Sequence, residues 1–403
     1  MRQYLEENLP FYLDLLQQMV RINSFSSNPA GVDELGRLTA EIFAALDFTA
    51  ETVPADNAQF GHHLVLTRPG HDGRKVGFVS HLDTVFPLAE ERQNDFRWRE
   101  EGKRIYGPGT VDIKGGTVVM YMMLDALRTF APQLFAGATW VLLLDAAEEA
   151  WGADFGRLCR ERLQSEDTVA CLIFEGGYMG EKRAKVVVAR KGMAVYRLEV
   201  QGRAAHAGSS HENGANAIVQ LAQLIQKVAG FTDYERDLTF NVGTVAGGTV
   251  VNRVPHRAVA TVEMRAFADE VYHDGLQRVM ALPEQASIES AAGDYRCQIE
   301  IEVTRKTQPW PRNPATDRLL HLWQETGRAL GIEVVPEERG GLSDGNFFWD
   351  AIPSLDGLGA SGGNAHCSER SADGSKDQEF VSRDSFVPKA LLNTMALIRL
   401  LEG

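Results

Sequence analysis

The stretch ATWVLLLDAAEEAWGADFG, residues 138–156, contains an apolar run that is followed closely by two adjacent glutamates, Glu148 and Glu149. Consecutive apolar positions in WVLLLD are typical of a strand that is buried on both faces of a largely parallel sheet. Adjacent side chains of a strand face opposite ways, but at a strand end or in a turn both carboxylates can face one cleft. There one glutamate could hold a metal while the other moves a proton. The alternative is a solvated loop or the first turn of a helix.

Similar apolar runs on either side of this strand predict the fold class. KVGFVS precedes it and VACLIF follows it, and DIKGGTVVMYMMLDALRTF is long and periodic enough for a crossover helix. This alternation predicts an α/β domain with a mostly parallel sheet and helices on both faces. From KVVVARK onwards the strands alternate apolar and polar residues, which is typical of a sheet that is solvated on one face. We therefore predict an α/β domain of residues 1–185 and 305–403, interrupted by an α+β insert of residues 186–304.

The composition excludes several classes of protein. The chain has 403 residues, with 41 Lys plus Arg against 55 Asp plus Glu and a formal net charge of −14. Nucleic acids and anionic membranes require clustered positive charge, so we expect neither as a partner. The start MRQYLEENLPFYLDLL does not resemble a signal peptide and no segment approaches a membrane-spanning length, which predicts a cytoplasmic protein. A disulfide framework is not expected, because no CxxC spacing connects the four cysteines, Cys159, Cys171, Cys297 and Cys367.

Groups that can bind a metal follow several of the predicted strands. His81 and Asp83 follow KVGFVS, Asp112 lies in a glycine-rich turn, Glu175 follows VACLIF, and His366 lies in GGNAHCS. Because sites in open α/β sheets form outside the carboxyl ends of the strands, we expect these groups to converge. Each group alone has a plainer interpretation, such as a hydrogen-bonded histidine or a helix N-cap aspartate.

The combination of these groups predicts a metal site. Two histidines and several carboxylates without nearby thiolates match zinc or another divalent cation rather than copper or an iron–sulfur cluster. A carboxylate that bridges two such ions, roughly 3.5–4 Å apart, would help to generate hydroxide at neutral pH and to polarise a carbonyl group.

Six motifs carry a family resemblance, and they occur in order across nearly the whole chain. They are SHLDTVFP, YGPGTVDIKGG, the glutamate pair, QGRAAHAGSSHENGANAI, GGLSDGNFF and LDGLGASGGNAH. Together they resemble the co-catalytic zinc exopeptidase family, which includes glutamate carboxypeptidase, succinyl-diaminopimelate desuccinylase, acetylornithine deacetylase and the aminoacylases. LDGLG and SDGNF are more similar to the glutamate carboxypeptidase branch than to the aminoacylases.

The resemblance implies a ligand set for two metal ions, with zinc expected and cobalt or manganese compatible with the same ligands. His81 and Glu175 would bind one ion, Glu149 and His366 the other, and Asp112 would bridge them.

Two further residues of the predicted catalytic domain receive roles from the resemblance. Asp83 would orient and polarise His81. Glu148 would be the general base that takes a proton from the attacking water and returns it to the leaving amine.

The insert would be the lid and dimerisation domain of the family, which implies a homodimer. His206 would reach the site of a neighbouring subunit and stabilise the oxyanion. Asn252 and Arg265 would contact the substrate, although Arg265 could equally form a structural salt bridge.

The implied reaction is hydrolysis of an amide next to a free carboxylate, in a small peptide or an N-acyl amino acid. We expect a carboxypeptidase that releases a C-terminal residue such as glutamate; the alternatives are an N-acyl amino acid deacylase and a non-catalytic binding relative. Two departures from the family pattern affect this expectation. Ala147 stands where the family has an acidic residue and Trp151 adds bulk, while the pair Glu379 and Phe380 comes only after the long loop SERSADGSKDQ, which we expect to reshape the pocket.

Overall fold

The computed structural model describes residues 1–150 and 152–402. The chain divides into two compact units. The first consists of Met1–Val188, Arg312–Glu338 and Ser343–Gly403, and the second of Ala189–Pro311 and Arg339–Leu342.

The helices and strands of the described residues are numbered in chain order. The helices are α1 (Arg2–Val20), α2 (Pro29–Ala44), α3 (Leu88–Gln93), α4 (Gly115–Phe130), α5 (Pro132–Gly137), α6 (Ala153–Leu163), α7 (Ala217–Ala229), α8 (Asp269–Met280), α9 (Pro314–Leu330) and α10 (Phe386–Glu402). The strands are β1 (Thr49–Pro54), β2 (His62–Arg68), β3 (Lys75–His81), β4 (Arg99–Glu101), β5 (Arg104–Tyr106), β6 (Thr139–Asp145), β7 (Thr168–Ile173), β8 (Tyr178–Met179), β9 (Arg183–Arg190), β10 (Gly192–Gln201), β11 (Thr239–Gly247), β12 (Arg257–Ala266), β13 (Gln298–Thr307), β14 (Glu333–Arg339), β15 (Ser354–Leu355), β16 (Gly362–Gly363) and β17 (Phe380–Ser382). None of these helices is long and apolar enough to cross a membrane.

The first unit is built on a six-stranded sheet in the order β1–β2–β6–β3–β7–β15. Strand β3 pairs in parallel with both β6 and β7, and β7 pairs in parallel with β15, whereas β1 and β2 add an antiparallel edge. Strands β3, β6 and β7 are buried at almost every position, as expected for central strands that helices cover on both faces. The predicted α/β fold with a mostly parallel sheet is confirmed.

The second unit contains a four-stranded antiparallel sheet in the order β11–β12–β10–β13. Strand β12 alternates between exposed or half-buried and buried residues, so one face of the sheet packs on a core of its own that includes Tyr196 and Tyr272. Helix α7 begins where the Asn216 side chain accepts the backbone N–H groups of Ile218 and Val219, and it ends before Gly230. This unit has the predicted α+β composition.

One strand belongs to a different sheet from the one that its sequence indicates. KVVVARK forms part of β9, which lies in a three-stranded sheet in the order β14–β9–β8. Most of its residues are buried, including five consecutive ones from Val186 to Arg190, so side chains on both faces of the strand are covered. A fourth sheet, in the order β16–β17–β5–β4, completes the architecture.

Candidate metal centre

The strand-end carboxylates and His81 converge at one edge of the six-stranded sheet. His81 ends β3, Glu148 and Glu149 lie in the turn that follows β6, and Glu175 follows β7. Because β6, β3 and β7 are adjacent and parallel, their carboxyl ends meet at the same edge.

Asp112 lies between the two predicted metal-binding histidines. It lies in the segment Thr110–Lys114, where its own backbone dihedrals (φ −124°, ψ 85°) are not helical, and Gly109 precedes this segment with a left-handed φ of 74°. Asp112 Oδ1 is 3.1 Å from His81 Nε2, and Asp112 Oδ2 is 3.2 Å from His366 Nε2. The carboxylate therefore divides its two oxygens between the two imidazoles, as a bridging ligand does.

The ligand atoms form two overlapping groups that share Asp112. One group is His81, Asp112 and Glu175, the other is Asp112, Glu149 and His366, and the ligand atoms of each group lie within 4.8 Å of one another. His366 Nε2 is 3.1 Å from Glu149 Oε1, and His81 Nε2 is 3.9 Å from Glu175 Oε1. A third group, His81 with Glu148 and Glu149, shows that Glu148 lies next to the same centre.

The electrostatics of these residues fit two divalent cations. Burial raises the pKa of Glu148 well above its ordinary value, and the charges of Glu175 and Glu149 raise it further against the opposing effect of His81. Burial and the neighbouring Asp112 likewise raise the pKa of Glu149. Carboxylates that repel one another in a partly buried site, together with imidazole nitrogens, form an oxygen and nitrogen donor set that positive charge would stabilise.

The two histidines bind protons tightly in the absence of a metal. Burial alone would lower the pKa of His81, but hydrogen bonds to Asp112 and Asp83 raise it well above its ordinary value. Asp112 and Glu149 raise the pKa of His366 to about 11. The His366 side chain is 53% exposed, and its φ of 66° is in the left-handed region, which is uncommon for a residue other than glycine.

Asp83 contacts both His81 and the glutamate turn. The Nδ1 atom of His81 is 3.0 Å from the backbone oxygen of Asp83 and 3.4 Å from its Oδ1 atom. The backbone N–H groups of Glu148 and Glu149 donate to the two carboxylate oxygens of Asp83 at 3.1 and 3.2 Å. The Ser26 hydroxyl also donates to Oδ2 at 2.6 Å. Asp83 therefore positions the glutamate turn as well as His81, a role that the HLD spacing does not indicate.

Glu379 is a site residue to which the sequence assigned no role. It is fully buried, and its Oε1 atom accepts the backbone N–H groups of Val111 and Asp112 at 3.0 and 3.3 Å. Burial and the nearby Asp112 raise the pKa of Glu379 to about 8. The pair Glu379 and Phe380, which follows the long loop, was the feature of the sequence that could have identified this residue.

The structure shows the surroundings of Ala147 and of the long loop before Glu379, the two places where the sequence departs from the family pattern. Ala147 is buried and its backbone N–H donates to Asp145 Oδ1 at 2.8 Å, while Trp151 lies outside the described residues. The long loop is fixed by Arg370, which donates to both carboxylate oxygens of Glu101, and by Gln378, which donates to the backbone oxygen of Asn94.

The residues assigned to substrate contact lie in the second unit. His206 and Asn252 are exposed and line one surface cavity of about 370 Å³. The Nδ1 atom of His206 accepts the backbone N–H groups of Gly208 and Ser209, so its proton is carried by Nε2. Arg265 donates to both carboxylate oxygens of Glu263 and to the backbone oxygen of Gly340.

A cluster of histidines and carboxylates at the carboxyl ends of parallel strands is the donor set that metallohydrolases use. The model of peptidase family M20/M25/M40 matches residues 77–382, and the chain belongs to this family of metallopeptidases and amidohydrolases. Members of the family bind two metal ions. The resemblance found in the motifs is thus confirmed.

Individual members of the family are related to the chain at low identity. Carboxypeptidase G2 of Pseudomonas sp. (strain RS-16) is 24% identical over 364 residues, which cover 89% of this chain and 83% of that protein. Acetylornithine deacetylase of Klebsiella pneumoniae (strain 342) is 25% identical over 268 residues, which cover 62% of this chain and 66% of that protein. The crystal structure of aminopeptidase PepT from Bacillus cereus ATCC 10987 superimposes with a TM-score of 0.76 and 22% identity, covering 98% of this chain and 99% of that one.

Proposed function

We propose that the chain is a carboxypeptidase that uses two metal ions to hydrolyse the amide next to a free carboxylate and releases a C-terminal amino acid such as glutamate. The observation that carries this proposal is the position of Asp112, whose two oxygens face His81 and His366 at 3.1 and 3.2 Å. The similarity to carboxypeptidase G2 over 83% of that protein supports the choice of a peptide substrate.

The metal ligands are assigned by their grouping around Asp112. His81 and Glu175 would hold one ion and Glu149 and His366 the other, with Asp112 between them. We propose zinc, and cobalt or manganese would accept the same donors. Two bound cations would polarise the scissile carbonyl and make a water molecule easier to deprotonate.

Glu148 is assigned as the general base. Its backbone N–H donates to Asp83, and its carboxylate belongs to neither of the two groups that share Asp112. A carboxylate that is left uncoordinated can take a proton from the attacking water and return it to the leaving amine.

His206 is assigned to stabilise the oxyanion, and Asn252 to contact the substrate. Because Nδ1 of His206 accepts two backbone N–H groups, the exposed Nε2–H remains as a donor. For Arg265 we favour the structural alternative, since Glu263 accepts from its Nε and Nη2 atoms and the backbone oxygen of Gly340 accepts from Nη1.

We propose that the second unit is the lid and dimerisation domain and that the chain forms a homodimer through it. Strand β11 is an edge of the antiparallel sheet, and its second half is exposed. Val245, Val250 and Val251 are exposed along and beyond this edge. An apolar edge strand is a ready surface for pairing with a second copy of the chain.

We also propose that the protein is cytoplasmic. All four cysteines are free, and three of them are buried, which suits a reducing compartment. Fractionation of cells that express the native chain would test this location.

An N-acyl amino acid deacylase is the second candidate, and the similarity to acetylornithine deacetylase supports it. The catalytic residues would serve both reactions, because pocket residues select the groups that flank the amide.

The test is amide hydrolysis across a panel of folyl-glutamate-type substrates, dipeptides and N-acetyl amino acids, with bound metal counted. We expect the parent to bind two ions and to cleave the peptide substrates, and Glu148→Gln to lose activity by roughly 10²- to 10⁴-fold while keeping both ions. Cleavage of the N-acetyl compounds alone would favour the deacylase. A parent that holds two ions and cleaves nothing would instead be a binding relative.

A further inference from the structure

A buried histidine on β2 connects the two elements that flank the glutamate turn. His63 is 1% exposed, its Nδ1 atom is 3.0 Å from Asp145 Oδ1, and its Nε2 atom is 3.1 Å from Asp154 Oδ2. Asp145 is the last residue of β6, and Asp154 lies in the first turn of α6. The segment 146–150, which carries Glu148 and Glu149, follows Asp145 directly.

The two ring nitrogens of His63 can both donate only when the ring is an imidazolium. Burial by itself would lower the pKa of His63, but Asp145 and Asp154 raise it to about 9. The backbone N–H of Ala146 donates to Nδ1 at 3.1 Å when the ring is neutral with its proton on Nε2, and in that state Nδ1 offers no proton to Asp145. Loss of the proton therefore removes an attraction at Asp145.

The carboxylate that His63 contacts also supports the glutamate turn. Asp145 Oδ1 accepts the backbone N–H of Ala147, and the next two N–H groups, of Glu148 and Glu149, donate to Asp83. Burial raises the pKa of Asp145, and the negative charge of Asp83 raises it further against the opposing effect of His63. The positive charge of His63 thus stabilises the ionised form of Asp145 at the start of the turn.

We propose that His63 is a positioning residue that fixes the segment 146–150 through Asp145 and Asp154, and so holds Glu148 in its working position. This inference rests on the proposed role of Glu148 as the base. The polar partners of His63 described above are Asp145, Asp154 and Ala146, which lie outside the two ligand groups. The side chain of the adjacent His62 faces the opposite side of the sheet, where it pairs with Asp33 at the surface. His62 therefore offers a matched control.

The experiment compares the parent, His63→Gln, Asp154→Asn and the control His62→Gln, all loaded with Zn²⁺. In His63→Gln we expect kcat to fall roughly 10- to 100-fold with little change in KM and with two ions retained, because the base is displaced rather than lost. His62→Gln should match the parent. The parent kcat should fall as the pH rises through the His63 titration, and His63→Gln should lack this limb of the profile.

The second variant keeps the inference testable if His63→Gln does not fold. Asp154→Asn removes one charge from the half-buried end of the cluster, so the high-pH limb of kcat should move to lower pH together with the His63 ring titration followed by NMR. An active parent whose kcat and pH profile are unchanged in these variants, even with a lower Tm, would overturn the positioning role alone. An inactive parent would overturn the proposed function and this inference with it.

Discussion

The Oε1 atom of Glu379 accepts the backbone N–H of Asp112 at 3.3 Å and thereby holds the residue whose carboxylate faces both His81 and His366. The same oxygen accepts the N–H of Val111 at 3.0 Å, and the Glu379 side chain is fully buried. The position of the Asp112 carboxylate therefore depends on an acceptor that comes from the far end of the long loop.

Two variants of Glu379 test its role as the acceptor of the backbone N–H groups of Val111 and Asp112. Glu379→Ala leaves the buried N–H of Val111 and the half-buried N–H of Asp112 without this acceptor, which we expect to lower the free energy of unfolding by roughly 2–5 kcal/mol and to weaken metal binding. Glu379→Gln keeps an acceptor oxygen and should retain most of the stability and most of the metal affinity of the parent. Urea unfolding and Zn²⁺ titration of the two variants measure the difference, and equal losses in both would show that an acceptor oxygen at this position is not sufficient.

Replacing Asp83 should lower catalysis by the proposed base Glu148 as strongly as it lowers metal affinity. In Asp83→Asn an amide group would face the backbone N–H of Glu148 or Glu149, so a donor would face a donor. We expect kcat to fall by about 10²-fold and metal affinity by about 10- to 100-fold. Ser26→Ala removes one donor to the same carboxylate and should have a much smaller effect. Kinetics with metal counting distinguish the two variants, and an unchanged kcat in Asp83→Asn would contradict the supporting role.

Much of this architecture can be predicted from the sequence because apolar runs identify strands, and strand ends identify sites. His81, Glu149 and Glu175 each follow a run that forms a central parallel strand, and the structure brings them together. The placement of β9 could not be predicted, because its pattern does not say which sheet it joins.

The contacts that support the site were harder to predict. The second role of Asp83 depends on backbone N–H groups, which leave no trace in the pattern of side chains. His63 occurs in HHLVLTR beside an exposed histidine, and its partners Asp145 and Asp154 are 82 and 91 positions away. Such long-range pairs follow from the strand order rather than from any local spacing.

The proposed dimer predicts a sharp response to charge at the exposed edge of the second unit. Val251 is fully exposed, and Val251→Lys would place a charge in an apolar interface. We expect the parent to sediment as a dimer and the variant to dissociate. Leu88→Lys, at an exposed apolar position of the first unit, should leave the parent state unchanged. A monomeric parent would overturn the dimer directly.

Metal binding should release protons at neutral pH. Without metal, Asp112 and Glu149 raise the pKa of His366 to about 11, so its imidazole is charged at pH 7 and must lose a proton to bind a cation. Calorimetric titration with Zn²⁺ in buffers of different ionisation enthalpy counts these protons. We expect at least about one per chain. His366→Gln should release one proton fewer and bind one ion fewer than the parent. His321→Gln, on the exposed face of α9, should bind Zn²⁺ like the parent.

The charge on His63 should make stability depend on pH in a defined window. Its pKa is raised from 6.5 to about 9 in the folded chain, so its stabilising contribution is complete below pH 6.5 and is lost as the pH rises through about 9. The free energy of unfolding of the parent relative to His63→Gln should therefore fall by about 3 kcal/mol between pH 6 and pH 10. Urea unfolding of both proteins at each pH measures this difference, and subtraction removes the titration of the groups that they share. A difference that does not change across this range would mean that His63 is neutral in the folded protein, with Nδ1 accepting from Ala146 rather than donating to Asp145.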